Sequence, residues 1–278
     1  MSVVLFAGPS LAGLERPLPP IFDRQPPARH GDVFRAAQLR PAAIALADGF
    51  FEGVLAVWHK EILWALSLGI PVFGAASMGA LRAAELDTYG MVGVGRIYQD
   101  YQSGKLEADD EVALLHGPEE VGYLPLTEPL VNVRATVSAA QQAGILGPCT
   151  VQAVMHSAIA LFYKARTWPN IMQGIATSEA SASDVERFQA WLPAGRVDQK
   201  RKDALAMVAL VAELCGRDAL PRVNHDFEPT FLWDRALAGW NEESAPATRP
   251  SRSAWRGRET LASLLDDAVL NSPQRTGR

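Results

Sequence analysis

Hydrophobic positions in the first half of the chain fall into short continuous runs that predict buried strands. Each of three such runs ends at a glycine-containing turn: Ser2–Ala7, Pro41–Ala47 and Ile70–Phe73. Continuous apolar runs of this length are typical of parallel strands covered on both faces. The three runs are therefore expected to form neighbouring strands of one sheet.

Between the second and third runs, the pattern changes to the spacing of a helix. Four apolar residues share one face at this spacing, namely Val54, Trp58, Ile62 and Ala65. The pattern predicts a helix over Phe51–Leu68 that ends before Gly69, and a second helix over Ala75–Leu86. Because strand, helix and strand form a βαβ unit, we predict an α/β fold with a small, mainly parallel sheet flanked by helices.

From Gly144 onward the chain has no convincing strand pattern, and its apolar spacing predicts helices. These helices cover Val151–Lys164, Ala182–Trp191 and Asp198–Cys215. The predicted organisation has three parts: an α/β core at 1–144, a helical C-terminal part at 145–240 packed on that core, and a mobile tail at 241–278 that can hold a short helix at Glu259–Leu270. Prolines between residues 17 and 32 predict an extended surface loop.

Composition narrows the classes of function. The 278 residues are 48% hydrophobic and 21% charged, which is ordinary for a folded domain. A formal charge of −5 argues against nucleic acid or an anionic membrane as the main partner, because both attract a cationic face. The chain has two cysteines, no CxxC, no histidine cluster and no long apolar stretch. We therefore expect a cytoplasmic protein without a metal site or another cofactor.

Three predicted strand ends each carry a polar residue, namely Ser10, Asp48 and Ser77. Ligands bind at the carboxyl ends of strands in open parallel sheets, so this edge is the expected site. Ser77 lies in GAASMGALRAAEL, a near match to the G-x-S-x-G bend that holds a nucleophilic serine in many hydrolases. The N–H of Met78 would donate to a developing oxyanion there. Alternatively, Ser77 only caps the helix, and the two roles are compatible.

A nucleophilic serine needs a base, and the string WHKEIL offers candidates next to one another. Lys60 has Val57 and Trp64 on the same helical face. Such apolar neighbours disfavour a charged ammonium group, as a catalytic lysine base requires. The alternative for Lys60 is an exposed lysine whose aliphatic stem packs along the helix.

Residues near this string have supporting or structural roles in the same interpretation. Glu61 falls within the apolar stripe and is either paired or buried at a cost, with Arg82 as the candidate partner. His59 is expected to lie at the protein surface without a catalytic role. Asn132 is expected to make structural hydrogen bonds. The glycines of GMVGVG resemble a phosphate-binding loop only weakly, because the lysine of such a loop is missing.

Six strings in the chain resemble, in this order, the core of the TfuA family: AGPSL, PPARHGDV, DGFFEGVLAVWHKEIL, GAASMGALRAAEL, GMVGVGRIYQDYQSGKLEADDEVALLH and PLVNVRAT. The resemblance covers about Met1 to Gly144 and extends more loosely to about Leu214. It implies a protein that acts beside a YcaO enzyme, which activates a peptide backbone amide with ATP. It also implies a role in replacing the amide oxygen by sulfur, with a thiocarboxylated ThiS-like carrier protein as the sulfur source.

The resemblance further implies a hydrolase-like pair of a serine and a lysine. The matching positions here are Ser77 and Lys60, while Ala76 stands where the family commonly has another serine. The resulting hypothesis is that a neutral Lys60 deprotonates Ser77, which attacks the thiocarboxylate carbon and releases sulfide. Asp48 and Ser10 would support this site from the neighbouring strand ends.

Two other functions are compatible with the sequence. A non-catalytic adaptor would dock the YcaO partner, the sulfur carrier and the peptide or protein substrate through aromatic anchors. The candidate anchors are Trp168, Trp191, Trp233 and Trp240. A small-molecule or nucleotide-binding domain rests on fold analogy alone.

Overall fold

A computed structural model describes residues 2–175 and 180–244, and a five-stranded sheet lies at its centre. The strands are β1 (Val3–Phe6), β2 (Phe22–Gln25), β3 (Ala43–Leu46), β4 (Val72–Gly74) and β5 (Val92–Gly93). They lie in the order β2-β1-β3-β4-β5, and each neighbouring pair is parallel. The predicted α/β class with a parallel sheet is confirmed.

Helices make up most of the remaining described chain. They are α1 (Asp32–Gln38), α2 (His59–Ser67), α3 (Met78–Leu86), α4 (Arg96–Gln102), α5 (Leu130–Gln142), α6 (Pro148–Ala160), α7 (Trp168–Ile175), α8 (Ala182–Gly195), α9 (Gln199–Gly216) and α10 (Phe231–Ser244). Among the described residues, no helix is both long enough and apolar enough to cross a lipid bilayer.

Helices cover both faces of the sheet because side chains alternate along each strand. Phe6 packs in one core with Ile62 of α2, to which α1 and α3 also contribute. The preceding residue, Leu5, packs in a second core with Met207 of α9. Burial on both faces explains the continuous apolar runs in the strands. Helix α9 is therefore a layer of the α/β fold, although it lies far along the chain from β1.

Helices α5 to α8 form a further hydrophobic core of their own. Val137, Val154, Ile171 and Phe188 are buried together in this core. These four residues come from four successive helices, so the packing is between helices without a sheet. The predicted helical part that follows the sheet is confirmed.

The chain divides into two units, Met1–Glu228 and Pro229–Arg278. In the second unit, the described residues end with α10, in which the rings of Trp233 and Trp240 pack edge to face at 5.6 Å between their centres. The predicted terminal helix at Glu259–Leu270 lies outside the described residues. The boundaries predicted at 144 and 240 stay predictions.

An edge strand and the start of one helix differ from the prediction. β2 lies in the segment expected to be a proline-rich loop, and its central residues Asp23 and Arg24 are exposed and polar. An edge strand carries such residues because one side of it faces solvent. Helix α2 begins only at His59, well after its predicted start. Gly53 has a left-handed backbone with φ +80°, and Val54 is 42% exposed, so the segment before α2 is a loop.

Candidate functional site

The predicted bend between a strand and a helix is present at Ser77. β4 ends at Gly74 and α3 begins at Met78, so Ser77 occupies the N-cap position of the helix. Ala76 has a left-handed backbone with φ +66°, which costs energy for a residue with a Cβ atom. This turn places Ser77 at the carboxyl edge of the sheet with only 2% of its surface exposed.

Glycines on both sides of the bend allow α3 to approach the sheet closely. A Cβ atom added to Gly79 would lie 1.7 Å from the carbonyl oxygen of Leu46. One added to Gly74 would lie 2.1 Å from the carbonyl oxygen of Gly79. Both distances are far shorter than van der Waals contact, so only glycine fits at these positions. The close packing of α3 on the sheet therefore requires Gly79, the last glycine of the G-x-S-x-G-like pattern.

The start of α3 leaves one backbone donor available beside Ser77. The N–H groups of Ser77 and Gly79 both donate to the carbonyl oxygen of Ala47, at 3.2 and 3.3 Å. No described residue accepts a hydrogen bond from the N–H of Met78. The Ser77 hydroxyl itself caps none of the described N–H groups of α3. The capping alternative is therefore not realised by the Ser77 side chain.

Ser77 lines a cavity of about 360 Å³ at the carboxyl edge of the sheet. Charged groups on the cavity wall include Asp48, Lys164 and Lys200. The aromatic part of the wall consists of Phe50, Phe51, His116 and Tyr163. An apolar wall with a few converging polar groups is typical of a site for a small ligand or a chain terminus.

Asp48 organises the turn that follows β1. Its Oδ2 accepts hydrogen bonds from the N–H groups of Gly8 and Ser10, each at 2.9 Å. Its Oδ1 accepts a hydrogen bond from the Ser10 hydroxyl at 2.7 Å. Both carboxylate oxygens of Asp48 are therefore engaged. Asp48 lines the Ser77 cavity, whereas Ser10 lines a different cavity.

The segment that contains this geometry matches a known family. Residues 48–167 match the family model described as TfuA-like protein. Over these residues, the chain is similar to the TfuA-like family. The match includes Asp48 and Ser77, and it confirms the resemblance recognised in the sequence. This similarity supports an accessory role in peptide thioamidation. No curated protein matches the chain.

Lys200 is a residue of this cavity that the sequence did not single out. It lies in the first turn of α9 and is only 3% exposed. Its Nζ donates to the carbonyl oxygen of Val112 at 2.9 Å and lies 3.8 Å from Oδ1 of Asp48. Burial lowers the pKa of Lys200, and the carboxylates of Asp48 and Asp198 oppose that shift. The chain therefore holds a buried amine on the wall of the Ser77 cavity.

A signal for Lys200 does exist in the sequence. Helix α9 buries Ala204, Met207 and Val211 at helical spacing, and Lys200 continues this stripe toward the start of the helix. A lysine in line with an apolar stripe is either buried or extends its charged end to solvent. The pattern alone does not distinguish the two outcomes.

Asn132 holds the first turn of α9 in place. Its Oδ1 accepts hydrogen bonds from the N–H groups of Gln199, at 2.8 Å, and Lys200, at 3.1 Å. Its Nδ2 donates to Oδ1 of Asp198 at 3.0 Å. These bonds satisfy N–H groups that have no partner within the helix. The structural role expected for Asn132 is confirmed, and it acts on the residue that carries the buried amine.

Lys60 does not line the Ser77 cavity. Its Nζ donates to the carbonyl oxygen of Glu228 at 2.8 Å and lies 5.0 Å from the centre of the Phe227 ring. Among the described residues, no hydrogen bond joins Lys60 to Ser77. The fold thus brings Ser77 to one cavity with Lys200 and not with Lys60. The catalytic role assigned to Lys60 stays a prediction.

Glu61 is buried and bonded to backbone groups. Its carboxylate accepts hydrogen bonds from the N–H groups of Trp58, at 2.9 Å, and Phe34, at 3.3 Å. Burial raises the pKa of Glu61 to about 7, although hydrogen bonds from backbone N–H groups favour the ionised form. Glu61 therefore joins the starts of α1 and α2.

The predicted pairing of Arg82 with Glu61 is wrong. Arg82 donates to the carbonyl oxygen of Val57 at 2.9 Å and to the carboxylate of Glu85 at 2.7 Å. His59 also contacts that carboxylate, at 2.8 Å. Glu85 follows Arg82 by about one turn of α3, so the two side chains lie on the same face of that helix and can pair. These residues tie α2 to α3 and do not line the Ser77 cavity.

The weak resemblance of GMVGVG to a phosphate loop has no support in the structure. The N–H of Ile97, at the start of α4, donates to the carboxylate of Asp203 at 2.7 Å. A Cβ atom added to Gly95 would lie 2.4 Å from a carbon atom of Asp203. A carboxylate thus occupies the position that a bound phosphate would take. Among the described residues, no three His, Cys, Asp or Glu residues are grouped to hold a metal ion.

Proposed function

We propose that this TfuA-like protein supplies sulfide for the formation of peptide thioamides. In this proposal, it hydrolyses the C-terminal thiocarboxylate of a ThiS-like carrier protein at Ser77. A YcaO-type ATP-dependent enzyme activates the peptide amide that receives the sulfur, and both act in the cytoplasm. The observation that supports the proposal is a buried serine hydroxyl in a cavity beside the unengaged N–H of Met78.

The proposed reaction forms and hydrolyses an acyl-serine. Ser77 Oγ bonds to the thiocarboxylate carbon, and the oxyanion accepts a hydrogen bond from the N–H of Met78. The carbon–sulfur bond then breaks, and the proton from Ser77 leaves on the sulfur as hydrosulfide. Water hydrolyses the acyl-serine, which restores Ser77 and leaves a carboxylate on the carrier.

The cavity suits the end of a chain rather than a folded domain. Its volume of about 360 Å³ is at the lower end of the range for small-molecule sites. An extended carrier terminus can enter it while the folded carrier stays outside. Lys164, which pairs with Glu52 at 2.5 Å on the cavity wall, supplies positive charge near the anionic thiocarboxylate.

The rate of sulfide release from a thiocarboxylated ThiS-type carrier tests this function. We expect Ser77→Ala to lower the rate by about 1,000-fold or more, because the nucleophile is lost. Ser103→Ala is the matched control: Ser103 is exposed at the end of α4, and its loss should leave the rate unchanged. Thermal unfolding of each variant verifies that it folds.

Mass spectrometry of the quenched reaction distinguishes two forms of the mechanism. A carrier adduct on Ser77 supports the acyl-serine. An inactive Ser77→Ala variant without any adduct in the unmodified protein indicates that Ser77 activates water instead. A Ser77→Ala variant with a normal rate contradicts hydrolysis at this serine and favours the adaptor function.

The adaptor alternative loses its proposed aromatic anchors. Trp168 is buried and packs edge to face on Phe188, and Trp191 stacks on the same ring. Trp233 and Trp240 are buried as well. Residues that serve as docking anchors must be accessible to a partner. An adaptor role would therefore need surface residues other than the three buried tryptophans, Trp168, Trp233 and Trp240.

A further inference from the structure

The cavity that Ser77 lines has a buried floor and an open mouth. Ser77 and Asp48 are each only 2% exposed, so they form its floor. On the same wall, the side chains of Glu52 and Lys164 are 48% and 35% exposed. The cavity therefore opens to solvent beside the ion pair between Glu52 and Lys164. A ligand that enters here passes this ion pair on its way to Ser77.

Large apolar side chains are exposed on two segments that meet at this mouth. Val54 and Leu55 follow Glu52 closely in the chain, and they are 42% and 72% exposed. Phe162 is 56% exposed, and the centre of its ring lies 5.8 Å from Nζ of Lys164. These three apolar residues, Val54, Leu55 and Phe162, are called the mouth patch below.

The mouth patch combines residues from two different hydrophobic cores. Val54 and Leu55 lie in the loop between β3 and α2, whose core covers one face of the sheet. Phe162 follows α6, which belongs to the core of the helical part. Single exposed apolar residues are common on protein surfaces, whereas a group of them beside the entrance of a site is typical of a surface that another molecule covers.

We propose that the mouth patch is the docking surface for the folded body of the carrier protein whose C-terminal thiocarboxylate enters the cavity. This assignment rests on the proposed hydrolysis at Ser77. A cavity of about 360 Å³ admits a chain terminus but not a folded domain. While the terminus reaches the buried floor, the folded body must therefore lie against the residues around the mouth. The carrier surface that fits there is apolar and adjoins the base of its terminus.

Docking on the mouth patch is separate from the chemistry at Ser77. Leu55 and Phe162 do not line the cavity, so they do not touch the reacting atoms. Their contacts with the carrier are the same before and during the reaction. Binding of this kind lowers KM and leaves kcat unchanged. A small thiocarboxylate such as thioacetate has no folded body, so it gains nothing from the patch.

Serine substitutions provide a matched test. Leu55→Ser and Phe162→Ser each remove apolar surface from the patch. Leu39→Ser is the control, because Leu39 is 78% exposed but lies at the end of α1, just before the start of β3 and thus at the sheet edge opposite to Ser77. We expect each patch variant to raise KM for the thiocarboxylated carrier by about 10-fold, with kcat unchanged. Leu39→Ser should match the unmodified protein, and all three variants should hydrolyse thioacetate at its rate.

The two substrates separate docking from damage to the cavity. If the patch variants and Leu39→Ser have equal KM values for the carrier, the mouth patch is not its docking surface. Equal losses with carrier and thioacetate also contradict the proposal, because they show that the substitutions disturb the cavity. If instead Ser77→Ala hydrolyses the carrier at the normal rate, the proposed function fails.

A binding measurement tests the docking surface without any hydrolysis. The carrier in its ordinary carboxylate form is titrated into each protein by calorimetry. We expect Leu55→Ser and Phe162→Ser to raise its Kd by about 10-fold and Leu39→Ser to leave it unchanged, even if hydrolysis at Ser77 fails. An unchanged Kd in the patch variants overturns the assignment. So does a different occupant: a dimer of this chain that the patch variants dissociate, or a YcaO-type enzyme whose binding alone they weaken.

Discussion

At the scale of single residues, two opposing effects act on the pKa of Glu61: hydrogen bonds from backbone N–H groups lower it and burial raises it. It lies three residues after Trp58 and accepts that residue's N–H, as a capping glutamate does at the start of a helix. The tertiary fold adds the N–H of Phe34 from α1 and removes water, leaving none of Glu61 exposed. Desolvation outweighs the hydrogen bonds, so the pKa of Glu61 rises to about 7.

The raised pKa of Glu61 predicts that stability falls as pH rises. Between pH 4.5, the ordinary pKa of a glutamate, and about 7, the folded state holds a proton on Glu61 that the unfolded state has lost. The free energy of unfolding should therefore decrease across this window, by about 3 kcal/mol from this group, and level off above it. Denaturant unfolding measured from pH 4.5 to 8 checks this. Glu61→Gln should reduce the decrease, whereas Glu107→Gln, at an exposed position, should leave it unchanged.

At the scale of elements, the approach of α3 to the sheet determines the geometry around Ser77. The helix lies so close that the Gly79 Cα faces the carbonyl oxygen of Leu46 at the end of β3. The N–H of Gly79 also bonds to the carbonyl oxygen of Ala47. The bend at Ser77 and its burial both depend on this close packing.

A methyl group at Gly79 should therefore be strongly destabilising. Gly79→Ala places a Cβ atom 1.7 Å from backbone, which cannot rotate away as a flexible side chain could. We expect a loss of about 3 kcal/mol or more in the free energy of unfolding, or failure to fold. Gly216→Ala is the control, since a Cβ atom there meets nothing within 4 Å. Similar unfolding midpoints for both variants would contradict the close packing.

At the scale of the whole molecule, the α/β fold is completed by a helix from the C-terminal half. Leu5 and Phe73 of the sheet are buried in the core that contains Met207 and Val211 of α9. Removal of α9 would expose this face of the sheet to water, at a cost of about 25 cal/mol per Å² of apolar surface. The predicted α/β core at 1–144 lacks α9, so it lacks one layer of its own fold.

Truncation provides a test of this dependence. A chain that ends at residue 144 should fail to unfold cooperatively and should aggregate, because one sheet face is uncovered. A chain that ends at residue 228, the end of the first unit, should fold and keep the proposed sulfide-release activity. Circular dichroism during thermal unfolding and size-exclusion chromatography measure both outcomes. Cooperative unfolding of residues 1–144 alone would show that α9 is dispensable for the sheet.

Local patterns in the sequence determined the class of the fold and the position of Ser77. The buried strands are apolar throughout, and the bend needs a glycine where α3 meets β3. Each of these two features can therefore be recognised from a few neighbouring residues in the sequence. β2 was not predicted because an edge strand that is half exposed to solvent carries polar residues such as Asp23 and Arg24. A short strand of this kind has no pattern that separates it from a loop.

Only the tertiary structure decided which lysine shares a cavity with Ser77. The apolar neighbours of Lys60 predicted a desolvated amine, but its actual partner is the carbonyl oxygen of Glu228, which is distant in sequence. Lys200 reaches the cavity because α9 covers the sheet face opposite to α2 and starts at the carboxyl edge of the strands. Burial of a charged group depends on contacts between distant segments, so local hydrophobic spacing predicts which residues form a helix but not which of its polar residues lose contact with water.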